Sequence, residues 1–284
     1  MKNLLIKSYS KINICLNVVG KREDGYHELD MIMLPLELHD SILFGELQNA
    51  KDHFVTIDDF SLGLLKYNVA TTAIEKMQRQ YGFTNKFRIT IHEVIPMQSG
   101  LGGGSSNAAS VVNAVNKYLK LNIPDQELID LTTGLGADIP FFLFNKPARC
   151  RGIGEKMEFI NVKNDYYCLI VKPEQGCSTE GVYKVSDEMT LNFGDVDKVK
   201  KALEEGDDDL LAESIFNALE EPAISLVPEI QIIKDKLKIA GLKIVQMTGS
   251  GSAVFALSTD RHLIKSVARQ LEDSYNVEVT KVLK

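Results

Sequence analysis

Residues 96–110, P-M-Q-S-G-L-G-G-G-S-S-N-A-A-S, constrain this chain more than any other stretch. Four of the five positions 100–104 are glycine: Gly100, Gly102, Gly103 and Gly104. Upstream, Phe87-Arg88-Ile89-Thr90-Ile91 alternates apolar and polar, as a half-buried strand does. Downstream, Ala108, Ala109, Val111, Val112, Ala114, Val115, Tyr118 and Leu119 recur at helical spacing. The glycines therefore join a strand to a helix, with Ser105 or Ser106 as the expected N-cap. Consecutive glycines can aim backbone N–H groups at one point and let a ligand approach the main chain. Followed by a helix N-terminus, that arrangement suits a phosphate.

Two familiar phosphate-binding patterns are excluded by what is missing. A P-loop needs a lysine after its glycines, and none follows here. A dinucleotide fingerprint read from Gly100 requires glycine where Ser105 stands. The bland alternative is a flexible surface loop with no ligand; the strand before it and the capped helix after it favour phosphate.

At 284 residues, two domains are expected, with the boundary in the composition shift over residues 145–165: 1–158 and 159–284. A formal charge of −7 disfavours a nucleic-acid or membrane-surface role, so an anionic ligand must be held by local amides and selected lysines. Cys15, Cys150, Cys168 and Cys177 form no C-x-x-C pair, which reads as reduced thiols in the cytosol. The five histidines show no zinc pattern. Residues 1–11 lack a signal-peptide core, and no apolar run approaches the ~18 residues of a membrane span. These features together predict a cytoplasmic, soluble protein.

Along the chain, residues 4–19 read as extended and broken near 8–10, with Lys11 and Asn13 on one strand face. Taken alone, Lys11 equally suits a solvated edge. A turn at 20–25 precedes Tyr26 and His27, then strands at 29–38 and 41–47. Asn68 opens a helix ending at Gly82. A short helix after Pro124 leads to G-L-G-A-D-I-P, residues 134–140, and an apolar strand at 141–144. Asp138 in that setting is either a held functional carboxylate or an ordinary turn cap. The second half reads strand, helices, strand, strand, helix, strand, with the glycine turn T-G-S-G-S at 248–252. The expected class is α+β with antiparallel pairs.

Four features in this order, Lys11-Ile12-Asn13, the loop at 96–106, Asp138, and the turn at 248–252, resemble the GHMP kinase superfamily. Within it, S-K-I-N at 10–13, G-K-R-E-D-G-Y-H at 20–27 and G-L-G-G-G-S-S-N-A-A at 100–109 are similar to the branch acting on a cytidine diphosphate methylerythritol. The resemblance implies the two-domain GHMP kinase fold, with an N-terminal domain like ribosomal protein S5 domain 2 and a ferredoxin-like C-terminal domain. It implies ATP and Mg²⁺, transfer to the substrate's 2-hydroxyl, and a monomer or homodimer. By position, Lys11 and Asp138 match the catalytic pair, Asp138 as base with Lys11 keeping it ionised. Pro96, Met97, Gln98, Ser99, Gly100, Leu101, Gly102, Gly103, Gly104, Ser105 and Ser106 match the ATP loop, and Asn68 an adenine contact. Asn13, Tyr26, His27 and Tyr183 match substrate contacts, the last three around the cytosine ring. Glu93 departs from the pattern, standing where some relatives carry a lysine near the nucleotide. Two other readings remain beside this one: a GHMP kinase for another small alcohol, of homoserine or mevalonate type, and a non-catalytic nucleotide-binding relative.

Overall fold

The computed structural model describes residues 3–57 and 69–284. Its strands are β1 (Leu4–Lys21), β2 (His27–Leu47), β3 (Phe54–Ile57), β4 (Lys86–His92), β5 (Ala148–Gly152), β6 (Lys156–Phe159), β7 (Tyr167–Lys172), β8 (Phe216–Asn217), β9 (Ile244–Met247), β10 (Val254–Ser258) and β11 (Asn276–Lys281). Its helices are α1 (Val69–Tyr81), α2 (Gly103–Leu119), α3 (Asp125–Thr132), α4 (Ile139–Phe144), α5 (Thr179–Ser186), α6 (Val196–Glu205), α7 (Asp208–Ser214), α8 (Glu220–Leu226), α9 (Glu229–Ile239) and α10 (Arg261–Leu271). Two compact units divide them. The first holds Met1–Ser10, His39–Ile95 and Gly102–Asn145; the second holds Lys11–Leu38, Pro96–Leu101 and Lys146–Lys284.

In the first unit, β4 pairs antiparallel with the second half of β2, and β3 runs parallel to β4. The alternation expected of β4 is realised, because Phe87, Ile89 and Ile91 are buried while Arg88 is exposed. Phe87 stacks on Phe44 at 4.8 Å, and Tyr118 of α2 meets both rings edge-on. The small and β-branched face of α2, from Ala108 to Val115, is buried and packs against α1 and α4. Each fully buried valine there (Val111, Val112 and Val115) stabilises the unit by roughly 1.5–3 kcal/mol.

In the second unit, the sheet order β11-β7-β10-β9 is antiparallel throughout. Its two central strands are buried almost end to end, as strands covered on both faces must be. The first half of β2 pairs with β5, and β5 with β6, both antiparallel; Cys15 and Leu16 of β1 pair parallel with β8. Asp207 caps α7 through the Leu210 N–H, and Asp208 and Asp209 place negative charge in the helix's first turn.

Four local expectations are corrected. Residues 141–144 are the end of helix α4, not a strand. A short apolar run does not reveal its period, and here Pro140 occupies the first turn while Asn145 ends the helix in the left-handed region. β1 is continuous through Ser8–Ser10, because both serines are fully buried and Ser8 donates to Ser106 Oγ at 2.8 Å. β2 is a single strand, its polar Asp40 being buried and hydrogen-bonded to the Val94 and Ile95 N–H groups. Finally, α2 starts at Gly103, with Gly102 (φ 79°) as N-cap, so Ser105 and Ser106 lie inside the helix. The composition shift at 145–165 carries the β5–β6 hairpin, which polar strand residues conceal. Asn68, expected to open α1, lies outside the described residues.

Candidate active site

The sequence-predicted residues fall into three clusters, each within one unit. The first surrounds Lys11, which is 2% exposed. Its ammonium donates to Asn13 Oδ1 at 2.5 Å and to the Gly100 carbonyl at 2.7 Å. The Lys11 N–H donates to the Leu101 carbonyl, while the Asn13 N–H donates to Thr248 Oγ1 at 3.0 Å. Asn13 is thus placed as a support of Lys11, with its Nδ2 near Met31 Sδ. A lysine on this strand is no solvated edge residue; it is buried against the glycine loop.

Glycine is obligatory at two points of this cluster. A Cβ on Gly100, whose φ is +78°, would lie 2.1 Å from the Thr248 carbonyl oxygen. One on Gly249 (φ +56°) would stand 3.0 Å from the Gly100 carbonyl oxygen and 3.2 Å from Lys11 Nζ. The two glycine turns therefore touch backbone to backbone. Gln98 and Ser99 complete the seam, their carbonyls accepting from the Ser252 and Ala253 N–H groups. Ser99 Oγ donates to the Pro96 carbonyl at 2.6 Å, and Met97 stands 62% exposed. Asn217 braces the second turn, donating to the Met247 and Gly249 carbonyls. Sequence reasoning missed Asn217, and no local pattern marks it.

The second cluster belongs to the first unit. Gly102 and Gly103 open α2 with no side-chain cap and no acidic residue in the first turn, which keeps the first N–H groups free of side-chain competition. Asp40 accepts from Val94 and Ile95 at one oxygen and from Asn107 at the other, tying the segment before the loop to the helix after it. Of the two candidate hydroxyls, Ser106 is fully buried and bonded to Ser8. Ser105 is half-buried, and its Oγ would lie 3.4 Å from a Cβ on Gly136. The turn bearing Asp138 is thus beside the first turn of α2. Asp138 is the half-buried residue before α4, and its side chain makes no cap hydrogen bond.

The third cluster lies in the second unit. The turn after β1 is held by Arg22 N–H to the Tyr26 carbonyl, by Asp24 accepting the Tyr26 N–H, and by Gly25 at φ +87°. It leaves Tyr26 43% exposed and delivers His27 to the start of β2. The His27 ring stacks on Tyr183 of α5 at 4.5 Å and 25°. Its Nε2 lies 2.7 Å from Asp187 Oδ1, and Lys21 Nζ lies 2.5 Å from Asp187 Oδ2. Hydrogen bonds from Lys21 first, and His27 second, hold the Asp187 carboxyl below the usual carboxylate range. Asp187 and Lys21 were not foreseen, although Asp187 stands four residues beyond Tyr183, where a helix brings side chains together.

Among the described residues, no group of three or more His, Cys, Asp or Glu side chains could hold a metal, and no helix is long and apolar enough to cross a membrane. All four cysteines are buried, and none is in a disulfide.

Residues 68–146 match the GHMP kinases N terminal domain, and residues 199–277 match the GHMP kinases C terminal domain. A 4-diphosphocytidyl-2-C-methyl-D-erythritol kinase of Clostridium botulinum is 33% identical across 98% of this chain and 99% of its own. The crystal structure of a 4-(cytidine 5'-diphospho)-2C-methyl-D-erythritol kinase superposes with a TM-score of 0.81 at 28% identity, covering 99% of this chain and 100% of that one. A homoserine kinase from Cytophaga hutchinsonii reaches 0.74 at 16% identity, covering 98% and 94%, and shares the fold alone. The chain accordingly has the two-domain GHMP kinase fold and belongs to the 4-diphosphocytidyl-2-C-methyl-D-erythritol kinase family.

Proposed function

We propose that this chain transfers the γ-phosphoryl group of ATP to the 2-hydroxyl of 4-diphosphocytidyl-2-C-methyl-D-erythritol. The observation that carries the reading is the His27–Tyr183 stack, two aromatic rings joined from distant parts of the chain. A small acceptor such as homoserine or mevalonate has no base for such rings to hold.

In this reading, the hydroxyl oxygen attacks the γ-phosphorus, the bond to the bridging β–γ oxygen breaks, and the hydroxyl proton passes to Asp138. A free aspartate is a weak base, with a reference pKa of ~3.9, so proton transfer comes late, as a loose phosphoryl transition state allows. Lys11 supplies positive charge to the transferring group from a site where burial and two acceptors hold its side chain still. Residues 96–104 position the triphosphate with backbone amides, and Ser105 and Ser106 add hydroxyls. Tyr26, His27 and Tyr183 take the cytosine, Asn13 supports the acceptor end, and Asn68 stays assigned to adenine. We place the division of the chain near residue 158, between the two matched segments, and the protein in the cytoplasm as a monomer or homodimer.

The donor set fits a magnesium ion that arrives with the nucleotide. A half-buried hydroxyl at Ser105 and the nearby Asp138 turn are suitable oxygen donors, with phosphate and water supplying the other ligands. When bound, the metal neutralises phosphate charge.

An ADP-coupled assay across the cytidine substrate, homoserine and mevalonate tests the reading. Release of ADP that depends on the cytidine substrate is expected; phosphorylation of homoserine or mevalonate in its place overturns it. Asp138→Asn should lower kcat by about 10²–10⁴ with the fold intact. Near-normal turnover in that variant removes Asp138 from the mechanism.

A further inference from the structure

Tyr183 and Asp187 project from adjacent turns of α5 and its cap, and together they grip one imidazole. Tyr183 covers a face of the His27 ring at 4.5 Å, and Asp187 takes its Nε2 edge at 2.7 Å. The His27 side chain is left 11% exposed. A carboxylate only accepts, so the proton on this edge must sit on Nε2. In the neutral ring, Nδ1 then carries a lone pair, and among the described residues no hydrogen bond is made to it. The second Asp187 oxygen is bound by Lys21. That ion pair balances the carboxylate and holds it in place at the end of β1, leaving its other oxygen for the ring.

We propose that Asp187 is the residue that makes this site specific for cytosine, acting through His27. By keeping the ring proton on Nε2, it presents Nδ1 as a hydrogen-bond acceptor. Cytosine offers an exocyclic amino donor at position 4; uracil offers a carbonyl acceptor there. Two acceptors facing each other leave both unpaired, and one unpaired buried acceptor costs about 1–3 kcal/mol, equivalent to roughly 5- to 150-fold in binding. Without Asp187, the imidazole can adopt the other tautomer, whose Nδ1–H suits uracil. This inference rests on the assignment of His27 to the base, and it adds the group that decides which base. Asp187 is a positioning residue: it reaches the ligand only through the ring.

Calorimetric binding of CDP and UDP at pH 8, to wild type and to Asp187→Asn, tests it. Wild type should prefer CDP by about 10²-fold, from one unpaired acceptor. In Asp187→Asn the preference should shrink at least tenfold, by weaker CDP binding with UDP unchanged or tighter. A merely structural role would weaken both nucleotides equally, and that result overturns the proposal, as does a wild type with no preference. Nitrogen-15 spectra of the wild-type histidines need no variant: a bare Nδ1 and protonated Nε2 on His27 are expected, and the reverse tautomer is fatal. Selective CDP binding that depends on Asp187, in a protein that phosphorylates some other acceptor, would sink the proposed reaction and leave this inference standing. Phosphorylation of the cytidine substrate with an unchanged base preference in Asp187→Asn would do the opposite.

Discussion

Around Lys11 the neighbours that matter are backbone atoms; around His27 they are side chains. In the first region, Gly100 and Gly249 bring two turns into contact, and the ammonium rests on a carbonyl at 2.7 Å. In the second, a histidine is held by a tyrosine face and a carboxylate that is itself paired with a lysine. The difference follows from what each has to recognise in the proposed reaction. A triphosphate is the same charged chain in every nucleotide and can be met by main-chain dipoles, which need close approach and hence glycine. A base is distinguished by its edge, which demands donors and acceptors that side chains supply. The first region should therefore tolerate almost no substitution, whereas the second should trade specificity before stability.

The sharpest way to break that contrast is Gly100→Ala. Its Cβ would fall 2.1 Å from a carbonyl oxygen that cannot swing away, at a φ of +78°. Loss of more than about 3 kcal/mol of stability is expected, visible as a large drop in melting temperature. A melting temperature near that of wild type would mean the seam is not rigid. Next in size, Lys11→Met should reduce kcat by about 10²–10³ and leave KM for the acceptor little changed, as for a group that acts on developing charge. Activity within threefold of wild type would take Lys11 out of the reaction.

Gly25→Ala sharpens the comparison from the other side. Gly25 has a φ of +87°, as positive as that of Gly100, but a Cβ there meets nothing within 4 Å. Only the intrinsic left-handed strain remains, about 1–2 kcal/mol, and the denaturation midpoint should move by that amount alone. A loss as large as that of Gly100→Ala would refute the distinction between strain and contact. The smallest effect concerns Asp187. Its folded-state pKa lies below the ordinary 3.8, so its contribution to stability is present above that value and disappears as pH falls through the lower, folded one. The stability gap between wild type and Asp187→Asn should hold above pH ~4 and close below it, by little, since the pair is partly solvated. Urea midpoints across pH 2.5–6 read this directly; a gap that widens on acidification contradicts the pairing.

Much of this was legible in the chain itself. The alternation of β4, the small-residue face of α2, the Gly82 stop after α1 and the strand–helix order of the second half all appear in the described fold. Local signals suffice there because period and capping are properties of neighbouring residues. They failed at 139–144, where all six residues are apolar and five are buried, so that no period shows, and at Gly102, where a glycine begins a helix that serines were expected to cap. Asp187 had a local signal in its spacing from Tyr183. Asn217 had none, because its role arises from a turn thirty-two residues away.

The sequence by itself determined which chemistry is available: a glycine loop without a following lysine, a lysine and an aspartate in rigid settings, and an aromatic pair after a tight turn. Those are matters of residue type and near-neighbour spacing. Only the tertiary structure decided that Lys11 is buried on the Gly100 carbonyl, that Ser105 rather than Ser106 keeps its hydroxyl accessible, and that Asp187 takes one edge of His27. Each of these depends on segments tens to hundreds of residues apart, and which oxygen meets which nitrogen is settled by packing that no local pattern encodes.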